Sequence, residues 1–323
     1  MKHVTIGSQS FSKVLCGANA FWGHSHFSEA RSAEYLRHFD DESIERTIRH
    51  TITLGVNAVE SCANERIVSI LSRVRKGSLA PIHFVGSTRI DETSELRSHQ
   101  QKLSFLIQNR TDICVVHAQY VDRPNRGDSI GGLEEMIDQI HAAGLLAGIS
   151  THQVATIELC ENRNYGIDTY LFPLNVSGFV YPGYKGRETV QERVNIVRAV
   201  AKPFILIKAL AAGRIPPSEG LPFIAESAKA NDLISLGFAA EAIEYMSSSV
   251  MSFDRTAQLC KTFSSFLQSP SQIEIKASFA FSLSFRDSLF AIIFMSSPKS
   301  FFSKGVNLNI AHLDCIGSMI LLL

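Results

Sequence analysis

Residues 133–175 read LEEMIDQIHAAGLLAGISTHQVATIELCENRNYGIDTYLFPLN, and this stretch decides the fold class. Leu133, Met136, Ile137 and Ile140 recur at helical spacing, and the pattern stops at Ala142-Ala143-Gly144, where a glycine suits the position just past a helix end. LLAGIST (145–151) follows as a short, nearly continuous apolar run, which is how a strand buried on both faces reads. A second helical segment (154–163), the turn YGID (165–168) and a second apolar run, TYLFPLN (169–175), repeat the unit. Strands separated by helices and short turns are expected to lie parallel.

The alternation extends in both directions. VLCGA (14–18), VNAVES (56–61), IHFVGST (82–88), DICVVHA (112–118), PFILIKAL (203–210) and DLISLGF (232–238) bring the apolar runs to eight. Helical patterns lie between them: Ile44, Ile48 and Ile52 after Asp40-Asp41, then Ile67, Ile70, Leu71 and Val74, then Leu96, Leu103, Leu106 and Ile107. Further helices are expected over 188–201, 219–229 and 240–250. Eight such units predict an α/β protein of (β/α)8 TIM-barrel architecture over residues 1–252. An open doubly wound sheet would be expected to turn after its first strand on Gly-x-Gly-x-x-Gly, and GANAFWG (17–23) does not do so. HVTIG and SFSKV, on either side of Ser8-Gln9, predict an N-terminal β-hairpin capping the bottom of the barrel. Residues 22–35 read as a loop.

Composition sets the class of partner. The chain has 323 residues, 31 Lys+Arg and 31 Asp+Glu, so no global basic field points to nucleic acid. Six scattered cysteines without a Cys-x-x-Cys pair read as free thiols of a reducing compartment. The N-terminus lacks the apolar core of a secretion signal, and no clean 18-residue apolar run occurs. The expectation is a cytoplasmic protein acting on a small molecule, with neither nucleic acid nor membrane as partner and no oligomeric state indicated. Charge is unevenly placed, however. Residues 263–323 hold 7 charged groups, 9 of the 21 Phe and 13 Ser, and show neither helical nor strand periodicity. Residues 253–323 are therefore expected to form an irregular C-terminal extension outside the barrel.

In a barrel of this kind, reactive groups sit at the C-terminal ends of the strands. Glu60, His117 and Lys208 occupy such positions and are the candidate catalytic residues. His117 follows ICVV and can act as a hydrogen-bond or proton donor to a carbonyl oxygen. Lys208 stands among apolar neighbours, which lowers its pKa and favours a nucleophilic amine; an ion pair with Glu60 is the structural alternative. Trp22, His26, His152 and Asn175 are the candidate substrate contacts. Gly213, Arg214, Ala240 and Glu241, in the loops after strands seven and eight, suit a phosphate. The Gly- and Pro-containing loop Ser177–Arg187 reads as a lid or as a plain surface connection.

The hairpin, GANAFWG, TLGVNAVES, ICVVH and LGFAAEAIEYM, in that order, resemble the aldo/keto reductase barrel over residues 3–250. The resemblance implies NADP(H)-linked oxidoreduction of a small carbonyl or alcohol by an Asp, Tyr, Lys and His set. The family's histidine falls on His117 and its aspartate on Glu60. Its tyrosine and lysine have no counterpart, since the chain reads Cys62-Ala63-Asn64 and Thr88-Arg89 there. AFWGHSHFS, GISTH and IKALAAGRI resemble a poorly characterised group of such barrels. Two alternatives stand beside this reading. One is a lyase using Lys208 to form an imine, or a hydrolase with a metal on His24, His26, His117 and His152, although no residue is assigned to a metal. The other is a barrel that binds a ligand without turnover.

Overall fold

The computed structural model describes residues 1–90, 96–123, 128–178, 180–181, 184–185 and 188–237. Ala240, Glu241, the helix expected over 240–250 and the extension 253–323 lie outside the described residues.

The hairpin consists of β1 (His3–Ile6) and β2 (Gln9–Ser12), paired Ile6 to Gln9. Its turn falls on Gly7-Ser8, one residue earlier than read, and Gly7 adopts φ 58°, which glycine tolerates best. The barrel strands are β3 (Val14–Gly17), β4 (Ala58–Cys62), β5 (His83–Ser87), β6 (Ile113–Val116), β7 (Leu146–Ser150) and β8 (Thr169–Pro173). A short hairpin, β9 (Val180–Tyr181) and β10 (Tyr184–Lys185), precedes β11 (Phe204–Ile207) and β12 (Leu233–Gly237). All eight expected strands are present, parallel, and close into a ring as β12 pairs with β3.

Helices α1 (Glu29–His38), α2 (Asp41–Thr53), α3 (Glu65–Lys76), α4 (Leu96–Gln108) and α5 (Ala118–Val121) cover the first half. They are followed by α6 (Leu133–Ala142), α7 (Val154–Arg163), α8 (Val190–Ala199) and α9 (Pro217–Ser227). None of them is long and apolar enough to cross a membrane. The expected stripes pack on the strands: Ile44 and Ile48 of α2, and Ile67, Ile70, Leu71 and Val74 of α3, are buried. Helix α1 replaces the loop expected at 22–35. Ser28 accepts a hydrogen bond from Arg31 N to cap it, yet it buries no residue, so it has no apolar stripe to betray it.

A second apolar cluster fills the barrel interior: Leu15, Ala58, Val85, Ile113, Val115, Leu171, Ile205 and Leu233, joined from below by Val4, Ile6 and Phe11 of the hairpin. Side chains alternate along a strand, so stepping by two from these residues names the inward positions nearer the mouth. They are Gly17, Glu60, Ser87, His117, Ser150, Pro173 and Ser235. Continuing past the strand ends gives Arg89, His152 and Asn175. Gly17 makes the closest approach in this layer, because a Cβ there would lie 2.8 Å from Ser235 Oγ and 3.1 Å from Leu236 O. Gly17→Ala is expected to cost about 1–3 kcal/mol and to push Ser235 away from Glu60, read as a lowered Tm; an unchanged Tm would mean that β3 and β12 can part without cost.

Candidate active site

The centre of the mouth is built around β11 and the residues that follow it. Ile205 and Ile207 point inward, so simple alternation would turn Lys208 outward. Lys208 instead adopts φ 60°, and Ala211 (44°), Ala212 (60°) and Gly213 (89°) follow in the same left-handed region. Non-glycine residues reach that region only at a cost, which surrounding contacts must hold. Asn175 supplies one: its fully buried amide donates to Lys208 O at 3.0 Å and accepts from Ser177 N at 3.0 Å. The reversed backbone brings Lys208 Nζ to 3.4 Å from Nε2 of His152.

His152 is oriented from behind. Asp122 accepts from His152 N at 2.7 Å and faces His152 Nδ1 at 3.6 Å, and it also accepts from the hydroxyls of Thr151 (2.5 Å) and Thr156 (2.9 Å). With Nδ1–H facing this carboxylate, the lone pair of Nε2 faces the lysine. Arg193 of α8, completely buried, donates to His152 O (2.8 Å) and Pro173 O (3.2 Å) and pairs with Glu188 at 3.0 Å. The ends of β7 and β8 are thus tied to one guanidinium.

The electrostatics follow from crowding several cations into a confined space. Desolvation lowers Lys208 to about 8, aided by Arg89 and Arg193 and opposed by Glu60. Desolvation likewise holds His152 far below the usual imidazole range, with Lys208 the largest charge against it. His117 falls to about 3 through desolvation and Arg89. Glu60 moves the other way, because burial raises it despite the hydrogen bond from Ser235 (3.1 Å) and the fields of Arg89 and Lys208.

His117 caps α5, its Nδ1 accepting from Gln119 N at 3.3 Å. The neutral ring therefore carries its proton on Nε2 and presents a donor. Trp22 hydrogen-bonds Ser61 Oγ through Nε1 at 2.9 Å, with Arg66 over its ring. His26, itself at φ 52°, is lowered to about 4 by desolvation and by Lys208. Arg214 donates to His26 O (3.0 Å), Phe27 O (3.1 Å) and Ala211 O (3.2 Å) and lies over the Phe27 ring, latching the loop after β3 to the loop after β11. Its donors face carbonyls, and no Cβ at Gly213 would meet an atom within 4 Å. Among the described residues, no three His, Cys, Asp or Glu side chains are placed to share a metal ion.

Glu60, His117, His152 and Lys208 thus gather at one mouth, with Asn175 behind Lys208. Arg89, Asp122 and Arg193 were not singled out from the sequence. Alternation from Val85 aims Arg89 inward, and Arg193 falls on the stripe of Val190, Val194 and Val197, so both carried a signal. Asp122 carried none, since a turn aspartate after a strand is common.

No protein-family model and no functionally curated protein matches the chain in sequence. A solved structure from Pseudomonas aeruginosa, provisionally described as an aldo-keto reductase, superposes with TM-score 0.56 at 15% identity, covering 79% of this chain and 95% of its own. The N-acetylmannosamine-6-phosphate 2-epimerase from Clostridium perfringens gives TM-score 0.45 at 16% identity over 67% and 86%, too loose a likeness to carry an argument. The first likeness supports the class already built from the strands, a (β/α)8 TIM barrel.

Proposed function

We propose that the protein is a carbonyl-processing barrel enzyme in which Lys208 forms an imine with a small substrate. The observation that carries this reading is the left-handed Lys208, whose amine is turned onto His152 and lowered to about 8. An amine lowered that far has a far larger neutral fraction at physiological pH than an ordinary lysine, and the neutral form is the nucleophile.

The chemistry uses residues already described. The Nζ lone pair attacks the carbonyl carbon while the C=O π pair moves onto oxygen, polarised by the Nε2–H of His117. The proton shed by nitrogen passes by way of His152, held to that task by Asp122, to the alkoxide oxygen, which becomes a hydroxyl. Glu60, raised toward protonation, gives a proton to the hydroxyl, which leaves as water as the nitrogen lone pair forms the C=N bond. Amine, carbonyl and proton have then become iminium and water, with no oxidant or reductant. The test is cyanoborohydride trapping with a panel of small ketones and aldehydes, followed by peptide mapping. A reduced adduct on Lys208 is the expected result, and its absence across the panel would end the reading.

A second reading is nicotinamide-linked reduction of a carbonyl, favoured by the fold likeness to the Pseudomonas aeruginosa protein and by His117. On this reading the cofactor phosphate falls to the loops after β11 and β12, at Gly213, Arg214, Ala240 and Glu241. NADPH should quench Trp22, the single tryptophan, if this is right. A flat titration would exclude it.

A further inference from the structure

One cation of the mouth is left over by the chemistry above. Arg89 follows β5 between two pinned residues. Thr88 donates through its amide to Val115 O (2.9 Å) and accepts from His117 N on its hydroxyl (3.0 Å). Ile90 exchanges two hydrogen bonds with the amide of Gln119, at 3.1 and 2.7 Å. Thr88 and Ile90 are buried, and Arg89 between them is half-buried and on the inward side by alternation from Val85 and Ser87. Its backbone is thus as fixed as a strand residue's.

Among the described residues, the Arg89 side chain makes no hydrogen bond and no ion pair. The other cations of the mouth have partners: Arg193 has Glu188, Arg214 has three carbonyls and Lys208 has His152. The field of Arg89 is nevertheless felt at Glu60, His117, His26 and Lys208, so the guanidinium borders the reacting groups. A half-buried guanidinium on a rigid backbone, without a hydrogen-bond or ion-pair partner among the described residues, is a poor structural element. It is a good receptor for a planar anion, which its fork can bind through two parallel hydrogen bonds.

We propose that Arg89 binds the carboxylate of the substrate, and that the substrate class is therefore small 2-oxo acids. The inference rests on the imine reading for the position of the carbonyl. With the carboxylate on Arg89, the adjoining carbonyl lies toward His117 and Lys208, the two groups that reading uses. A carboxylate is assigned over a phosphate because a single fork is offered and, among the described residues, no cluster of backbone donors stands beside it such as a phosphate takes at a helix N-terminus.

The experiment pairs pyruvate with acetone, which replaces the carboxylate by a methyl group. Calorimetry on Lys208→Met, where no covalent step can occur, is expected to show pyruvate binding that Arg89→Met, in the same background, weakens at least about tenfold. Arg89→Lys should fall between the two, because it keeps the charge and loses the fork. In the enzyme with Lys208 intact, Arg89→Met should slow trapping of pyruvate at least about tenfold more than it slows trapping of acetone, and an unchanged circular-dichroism spectrum and Tm report that the variant is folded. Equal pyruvate binding with and without Arg89, or binding of inorganic phosphate in preference to pyruvate, would overturn the assignment. Arg89-dependent binding without any trapped adduct would sink the imine reading and leave the carboxylate subsite standing. Adducts formed equally well from pyruvate and acetone would do the reverse.

Discussion

Lys208→Met is expected to abolish the cyanoborohydride adduct and to lower turnover of any carbonyl substrate by about 10³-fold or more, because the nucleophile is removed and no other amine takes its place. Lys208→Arg should lose as much, since it keeps the positive charge without a usable lone pair; survival of activity in that variant would show that charge alone is needed. The pH dependence has a definite sign. Below about 8 Lys208 is an ammonium and cannot attack, so the trapping rate should rise about tenfold per pH unit toward that point and flatten above it. His117 and His152 are neutral throughout the neutral range and should add no inflection near the ordinary imidazole pKa. A profile with its midpoint at the usual lysine value, above 10, would mean that the mouth does not lower the amine.

Arg193→Met should give the largest loss of stability. The guanidinium has no exposure at all and serves two carbonyls and Glu188. Removing it leaves a partly buried carboxylate and two acceptors without their donor, which costs about 3–5 kcal/mol. For a domain of this size that is about 10 °C in Tm. A fall of less than about 2 °C would mean that water replaces the guanidinium freely. The same variant has a functional consequence, because Arg193 is one of the charges that hold Lys208 low. At a temperature where Arg193→Met is still folded, the midpoint of the trapping profile should therefore move to higher pH.

The barrel was legible in the chain because its information is local. Each run such as LLAGIST is bounded by its own turn, and β7 and β8 form within a residue or two of the expected limits. Helix α1 was not legible, because a helix that packs on the core through the half-buried Tyr35 and fully buries no residue leaves no period to read. The positions of Glu60, His117 and His152 followed from strand ends alone. Their chemistry did not, since it depends on partners far away in sequence. Asp122 meets His152 thirty residues on, and Ser235 meets Glu60 across the seam where the ring closes. Lys208 is the most instructive case. Its strand-end position marked it as a candidate, but strict alternation from Ile205 and Ile207 would turn it outward, and only the left-handed backbone brings the amine inside. Strain of that kind is invisible in a sequence, because alanine and lysine do not announce a positive φ as glycine does.

The hairpin at the opposite end carries a kinetic consequence. Val4, Ile6 and Phe11 are wedged beneath Leu15, Val85 and Leu233, and the space above them is packed with side chains. Among the described residues the barrel is a vessel closed at the hairpin end, not a conduit. On the imine reading, reactant, expelled water and product must all use the mouth, so a site vacated at one end cannot be refilled from the other. Catalysis in such a vessel proceeds by taking turns, and the slowest traveller through the mouth sets the pace.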